Sequence, residues 1–244
     1  MAERLPDAIC QPWLALGFLL YWILAVFLSL RGFFHRFPPA PLTRAYFGQW
    51  LREILSSFER FLIRRQIHPN LLSYTQLGVS LLAGLAYAEG AIFLGGWLVL
   101  ESGVLDLLDG GVARSTGQAN RRGAFIDSVV DRYAEFFTYL GLGVFFASSW
   151  VLWAVALAFL GSIMVSYVRA RAEGLGVSCQ VGMMQRAERY LLLGGGSMLS
   201  TTLNHLLCFQ AHMVLIVCLV ILAVLANVTA IHRIFFVATS LREP

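Results

Sequence analysis

The sequence predicts an all-α polytopic membrane protein: a six-helix transmembrane core, preceded by an interfacial amphipathic helix and an extra N-terminal transmembrane helix. Three observations predict it. Hydrophobic residues make up 58% of the 244 positions and charged residues 13%, with a mean hydropathy of +0.71, outside the range of soluble domains. Apolar stretches repeatedly reach the length a helix needs to cross a bilayer. Arginine supplies all 18 basic residues, lysine being absent, and the arginines alternate with the apolar stretches as a membrane topology requires.

The first apolar stretch, residues 12–31, is too long for a signal-peptide core and has too few basic residues before it, so it reads as a retained helix. A break follows at Phe37-Pro38-Pro39-Ala40-Pro41. Beyond it Phe47, Leu51, Ile54, Leu55, Phe58, Phe61 and Leu62 recur at helical spacing, with arginines and glutamates on the other faces, which predicts a helix lying in the membrane interface. His68-Pro69-Asn70 introduces the next crossing, proline being suited to a first helical turn. That crossing is predicted over 71–88, and further ones over 91–114, 122–147, 149–172, 187–204 and 209–238. The chain thus divides into an N-terminal helix (1–36), an interfacial helix (37–66) and a transmembrane domain (67–244). With Arg31 in the cytoplasm, every arginine beyond it falls on that side, and only Arg4 is left outside.

The net charge of +4 is accounted for by this topology and by attraction to anionic lipid, and no basic-aromatic module points to a nucleic-acid partner. Cys10, Cys179, Cys208 and Cys218 lack metal-ligand spacing, as do the five histidines. Gly194-Gly195-Gly196 lies inside a predicted crossing with no strand before it, which favours close helix packing over phosphate binding. Glu101 and Glu135 are expected to face inward, because an ionised group at membrane depth is costly against lipid.

The chemistry concentrates in residues 106–131, DLLDGGVARSTGQANRRGAFIDSVVD. Asp106 and Asp109 stand three apart and Asp127 and Asp131 four apart, so each pair projects from one helix face, with Gly110 and Gly111 expected to relax the end of the first helix. Four such carboxylates repel one another unless a cation compensates them. All-oxygen ligation selects hard ions, Mg²⁺ or Mn²⁺, and two of them suit a pyrophosphate. The small residues Gly110, Ala113 and Gly123 let a nucleotide lie against the backbone, and Arg114 and Arg121 are placed to pair with its phosphates.

Written as spacing, this stretch is D-x2-D-G-x2-A-R-x8-G-x3-D-x3-D, and it resembles the signature of the CDP-alcohol phosphatidyltransferase family at every fixed position. The resemblance implies that Asp106, Asp109, Asp127 and Asp131 are metal ligands and that Asp131 is the general base for the acceptor hydroxyl. It implies that Asn70, Asp109, Gly110, Ala113, Arg114, Arg121 and Gly123 hold the CDP moiety; by position alone, Asn70 equally serves as a helix cap. The implied donor is CDP-diacylglycerol, the acceptor a small polar alcohol, and the enzyme a homodimer in the bilayer. Arg169, Arg186 and Arg189 sit in segments similar to those of prokaryotic phosphatidylinositol phosphate synthases that meet the acceptor phosphate, which favours an inositol phosphate acceptor and a prokaryotic inner membrane with the site facing the cytoplasm. Glycerol 3-phosphate is the nearest alternative acceptor. An ion-coupled transporter, the reading from another class, would place acids near mid-membrane within internal repeats, whereas these cluster once at a helix boundary.

Overall fold

In the computed structural model the described residues are 55–207 and 212–241, residue 57 apart, with no strand among them. The N-terminal helix expected over 12–31, and most of the interfacial segment, lie outside these residues. The core helices are α1 (Pro69–Ala88), α2 (Ile92–Ser115), α3 (Arg121–Phe145), α4 (Val151–Gly174), a short α5 (Arg186–Tyr190), α6 (Gly196–Leu207) and α7 (Met213–Ser240). Among the described residues α1, α4 and α7 are long and apolar enough to cross a membrane. α2 and α3 carry the acidic motif, and its charges offset the apolar character of the stretches around them.

α1 packs on both α2 and α3, while α4 pairs with α7. The α1–α3 crossing is tight because Gly84 and Gly141 meet there: a Cβ on either would collide with backbone of the other helix. The main core gathers Tyr87, Ile92, Val99, Leu142, Val155, Leu193, Leu215, Leu219 and Leu222. This apolar half of the bundle holds the helices in register, and the polar half is the motif end.

The crossing expected over 187–204 is not one regular helix. α5 passes into a π-helical turn, Leu191–Gly195, before α6 begins. A Cβ at Gly96 would lie 2.7 Å from the Gly194 carbonyl oxygen, and one at Gly194 would lie 2.8 Å from that of Gly96, so the widened turn sits directly against α2. Such turns add one residue per turn and rotate what precedes them. Here they rotate α5, which carries Arg186 and Arg189.

Residues 58–64 are helical, and Leu62 is buried against Leu72, Leu108 and Val112 with Leu55 and Ile63 alongside. The apolar stripe thus packs against α1 and α2, while among its described residues Phe58 and Phe61 stand about half exposed. Gly110 and Gly111 do not loosen a helix end: α2 runs through them to Ser115, and the turn into α3 is made by Gly117 at φ 67°. Glu101 is a correction, since its side chain is exposed on α2 while its neighbour Ser102 takes the buried position. Glu135 does face inward.

Candidate active site

α2 carries Asp106 and Asp109 to the same place that α3 carries Asp127 and Asp131. Asp106, Asp109 and Asp127 each offer a carboxylate oxygen, all within 4.8 Å of one another. Asp127 Oδ1 is buried and accepts no hydrogen bond. A close group of oxygens with an unused buried lone pair is a donor set that fits a hard divalent cation.

Asp131 is held differently. Gln76 Nε2 on α1 donates to its Oδ1 at 3.3 Å, and Arg186 embraces both oxygens through its two terminal nitrogens. The same Arg186 NH1 donates to Asp106 Oδ1 at 2.5 Å, so one guanidinium ties the first carboxylate of the motif to the last. Arg132 lies beside them, 3.7 Å from Asp131 Oδ2 and 3.6 Å from Glu135 Oε2.

Three supports lie behind the motif: Ser73 and Gln76, to which the sequence assigned no role, and Glu135, expected inward with no partner assigned. Ser73 Oγ donates to Asp109 Oδ2 at 2.6 Å, fixing the orientation of that carboxylate. Gln76, one turn later on α1, does the same for Asp131, and both side chains are buried. Glu135 accepts from Arg189 NH2 at 2.6 Å, extending the acidic face of α3 by one further turn. The available signal was spacing: Ser73 and Gln76 stand three apart on an otherwise apolar helix, and Glu135 continues the four-residue step of Asp127 and Asp131.

Of the residues read as a nucleotide floor, Gly110 neighbours Arg114 and Gly123 neighbours Asn70. A Cβ on Gly110 would lie 3.1 Å from Arg114 NH1, so the missing side chain leaves the space into which that guanidinium folds. Gly111 does likewise for Glu59 of the interfacial helix, whose carboxylate accepts from Ser115 Oγ at 2.6 Å. The side chain that caps α1 is His68, whose Nδ1 accepts from the Asn70 amide at 3.2 Å. Asn70 is therefore free of capping, and its Oδ1 lies near Gly123, 3.8 Å from the position a Cβ would take there. Asn120 caps α3 by accepting from Gly123 N at 2.8 Å. Ala113 is half-buried on α2, and Arg121 is exposed at the first turn of α3.

The three late arginines part company. Arg186 lies among the carboxylates, with Tyr190 Oη accepting from its NH2 at 3.2 Å. Arg189 points to Glu135 and to the Met184 carbonyl, both buried. Arg169 pairs with Glu173 at 2.9 Å on the exposed face of α4, one turn apart on the same helix. The structure thus does not bring the three together: Arg169 stands on the exposed face of α4, Arg189 is engaged with Glu135, and Arg186 stands among the carboxylates.

A family model for CDP-alcohol phosphatidyltransferases matches residues 66–241, from the entry of α1 to the end of α7. The chain belongs to that family. It is accordingly a CDP-alcohol phosphatidyltransferase, an integral membrane enzyme of phospholipid biosynthesis, and Mg²⁺ or Mn²⁺ is the cation its oxygen cluster suits. It is 34% identical over 189 residues to the archaetidylinositol phosphate synthase of Methanothermobacter thermautotrophicus, spanning 73% of this chain and 91% of that one. It is 31% identical over 145 residues to the phosphatidylinositol phosphate synthase of Cutibacterium acnes, spanning 57% and 70% of the two chains. Among solved structures, the Mycobacterium tuberculosis phosphatidylinositol phosphate synthase with CDP-DAG bound superposes with a TM-score of 0.65 at 26% identity, covering 76% of this chain and 94% of that one. The same enzyme in complex with manganese and citrate gives 0.66 at 26% identity, covering 75% and 88%.

Proposed function

We propose that this phosphatidyltransferase moves the phosphatidyl group of CDP-diacylglycerol onto a hydroxyl of an inositol phosphate, releasing CMP at the cytoplasmic face of a prokaryotic inner membrane. The observation that carries the reading is the position of Arg186, which puts a phosphate-binding guanidinium beside Asp131. An acceptor whose phosphate meets Arg186 would bring its hydroxyl to Asp131. The names of the relatives and the CDP-DAG held by the M. tuberculosis enzyme support the same donor and acceptor.

Asp106, Asp109, Asp127 and Asp131 would hold two Mg²⁺ or Mn²⁺ ions. Bound there, the cations supply charge neutralisation to the pyrophosphate and its leaving group. Asn70, Asp109, Gly110, Ala113, Gly123 and Arg114 form the floor for the cytidine and its phosphates, with Arg121 at the rim. Ser73 and Gln76 hold Asp109 and Asp131 in fixed orientations. Asp131 takes the proton of the acceptor hydroxyl, and the resulting oxygen forms a bond to the phosphorus that carries the diacylglycerol. The bond from that phosphorus to the oxygen bridging it to CMP breaks, and CMP leaves with the electron pair. Residues 67–244 would perform this chemistry, with 37–66 at the interface and 1–36 as an added anchor. The family's resemblance supports a homodimer.

The test is CMP release by purified protein with CDP-diacylglycerol and Mn²⁺, offered inositol 1-phosphate, glycerol 3-phosphate, serine and inositol in separate reactions. Release with inositol 1-phosphate above the other three supports the assignment. Release with glycerol 3-phosphate instead transfers it to that acceptor.

A further inference from the structure

We infer that Arg186 is a displaceable clamp, which holds Asp106 to Asp131 and occupies both oxygens of Asp131, so that Asp131 joins Asp106, Asp109 and Asp127 around a cation only once Arg186 lets it go. The inference rests on the metal-dependent reading above and goes beyond it. Arg186 compensates both ends of the motif: it bridges Asp106 on α2 and Asp131 on α3, while Asp127 Oδ1 stays unpaired. Two carboxylates engaged by a guanidinium cannot offer the same lone pairs to a cation.

The geometry makes the exchange a side-chain event. α5 itself is anchored by Arg189, whose side chain is 5% exposed and paired with Glu135. Arg186 lies one turn away, its side chain 20% exposed and its Nε without a hydrogen-bond partner, so it is both reachable and incompletely satisfied. Tyr190 already flanks the guanidinium: its Oη accepts from NH2 at 3.2 Å, the guanidinium carbon lies 5.5 Å from the ring centroid, and Gly103 leaves the room that this ring takes. Once it has let go of Asp131, Arg186 is available to an acceptor phosphate and Asp131 to an acceptor hydroxyl. Loading of the carboxylates and capture of the acceptor are then coupled through one side chain. By linkage, a clamp that occupies the ligands lowers the apparent cation affinity by the fraction of molecules in which it is closed.

The test is Mn²⁺ binding to the purified full chain without substrate, read as free Mn²⁺ by electron paramagnetic resonance, for the unaltered protein, Arg186→Gln and Arg132→Gln. Arg132 is the charge control, since it lies 3.7 Å from Asp131 and bridges no pair of motif carboxylates. Arg186→Gln is expected to bind Mn²⁺ about fivefold or more tightly, within the usual span of coupling between sites, and Arg132→Gln to change far less. Equal tightening in both variants would reduce the effect to net charge and overturn the clamp. Unchanged or weaker binding in Arg186→Gln, with normal uptake by the unaltered protein, overturns the clamp and leaves the proposed function standing. No uptake by any of the three overturns both. A second measurement needs no variant: phenylglyoxal labelling mapped by mass spectrometry should modify Arg186 faster in Mn²⁺ than in EDTA, and equal or slower labelling contradicts the clamp.

Discussion

Arg189 and Glu135 form an ion pair of 2.6 Å with both side chains buried, one helical turn along α3 from Asp131. The pair fixes the direction of α5, and therefore the place at which Arg186 meets the carboxylates. A buried pair adds little net stability against an apolar replacement, yet breaking it is costly because the remaining charge stays desolvated.

Glu135→Gln is therefore expected to destabilise the protein by about 3 to 5 kcal/mol, seen as a lower thermal midpoint in detergent. The double variant Glu135→Leu with Arg189→Met should recover much of that loss. A single variant as stable as the unaltered protein would show that the pair does not hold α5.

Ser73→Ala removes the hydrogen bond that orients Asp109. Partners behind a metal ligand typically contribute about 10- to 100-fold in metal affinity or activity, so the Mn²⁺ needed for half-maximal CMP release should rise within that range. Ser73→Thr keeps the hydroxyl and should lie closer to the unaltered protein.

At the α1–α3 crossing, Gly141→Ala places a methyl group into the backbone of Gly84. The helices can only separate, and overpacking of this kind typically costs about 1 to 3 kcal/mol. Gly143→Ala on the same helix is the control, since the nearest atom to its Cβ is Leu152 Cδ1 at 3.7 Å. Thermal unfolding should separate the two variants.

Arg233 on α7 donates to the Val181 carbonyl at 2.8 Å and to the Val165 carbonyl at 2.7 Å, stitching the segment before α5 to α4. Arg233→Leu removes both bonds and leaves the half-buried Val181 carbonyl without this donor, at about 1 to 3 kcal/mol. Hydrogen exchange should rise over residues 175–185, and KM for the acceptor should rise more than KM for the lipid donor.

The helical plan was legible because α1, α4 and α7 are long apolar runs bounded by polar residues, and α2 and α3 carry the motif at helical spacing. The observed ends of α1 through α4 fall within two residues of the expected ones. The four aspartates were legible because their spacing fixes their faces. What escaped were properties that depend on which helix packs against which. Ser73 and Gln76 gain their meaning only when α1 lies across α2 and α3. The phase of Arg186 and Arg189 was hidden because the π-turn at Leu191–Gly195 carries no sequence mark beyond its glycines, and it rotates α5 relative to a regular helix. Glu101 misled because cost at membrane depth argues for an inward side chain, while helical phase gives that position to Ser102.

The central claim, that the carboxylate cluster catalyses metal-dependent phosphatidyl transfer with Asp131 as base, is tested most directly by Asp131→Asn. The variant should still bind CDP-diacylglycerol, because the floor around Gly110, Ala113 and Gly123 is untouched. In Mn²⁺ with inositol 1-phosphate, the unaltered protein should release CMP and stop when EDTA is added, while the variant should release CMP at least about 100-fold more slowly, the lower end of a general base's contribution. CMP release by Asp131→Asn at the unaltered rate, or release by the unaltered protein that survives EDTA, would contradict the account.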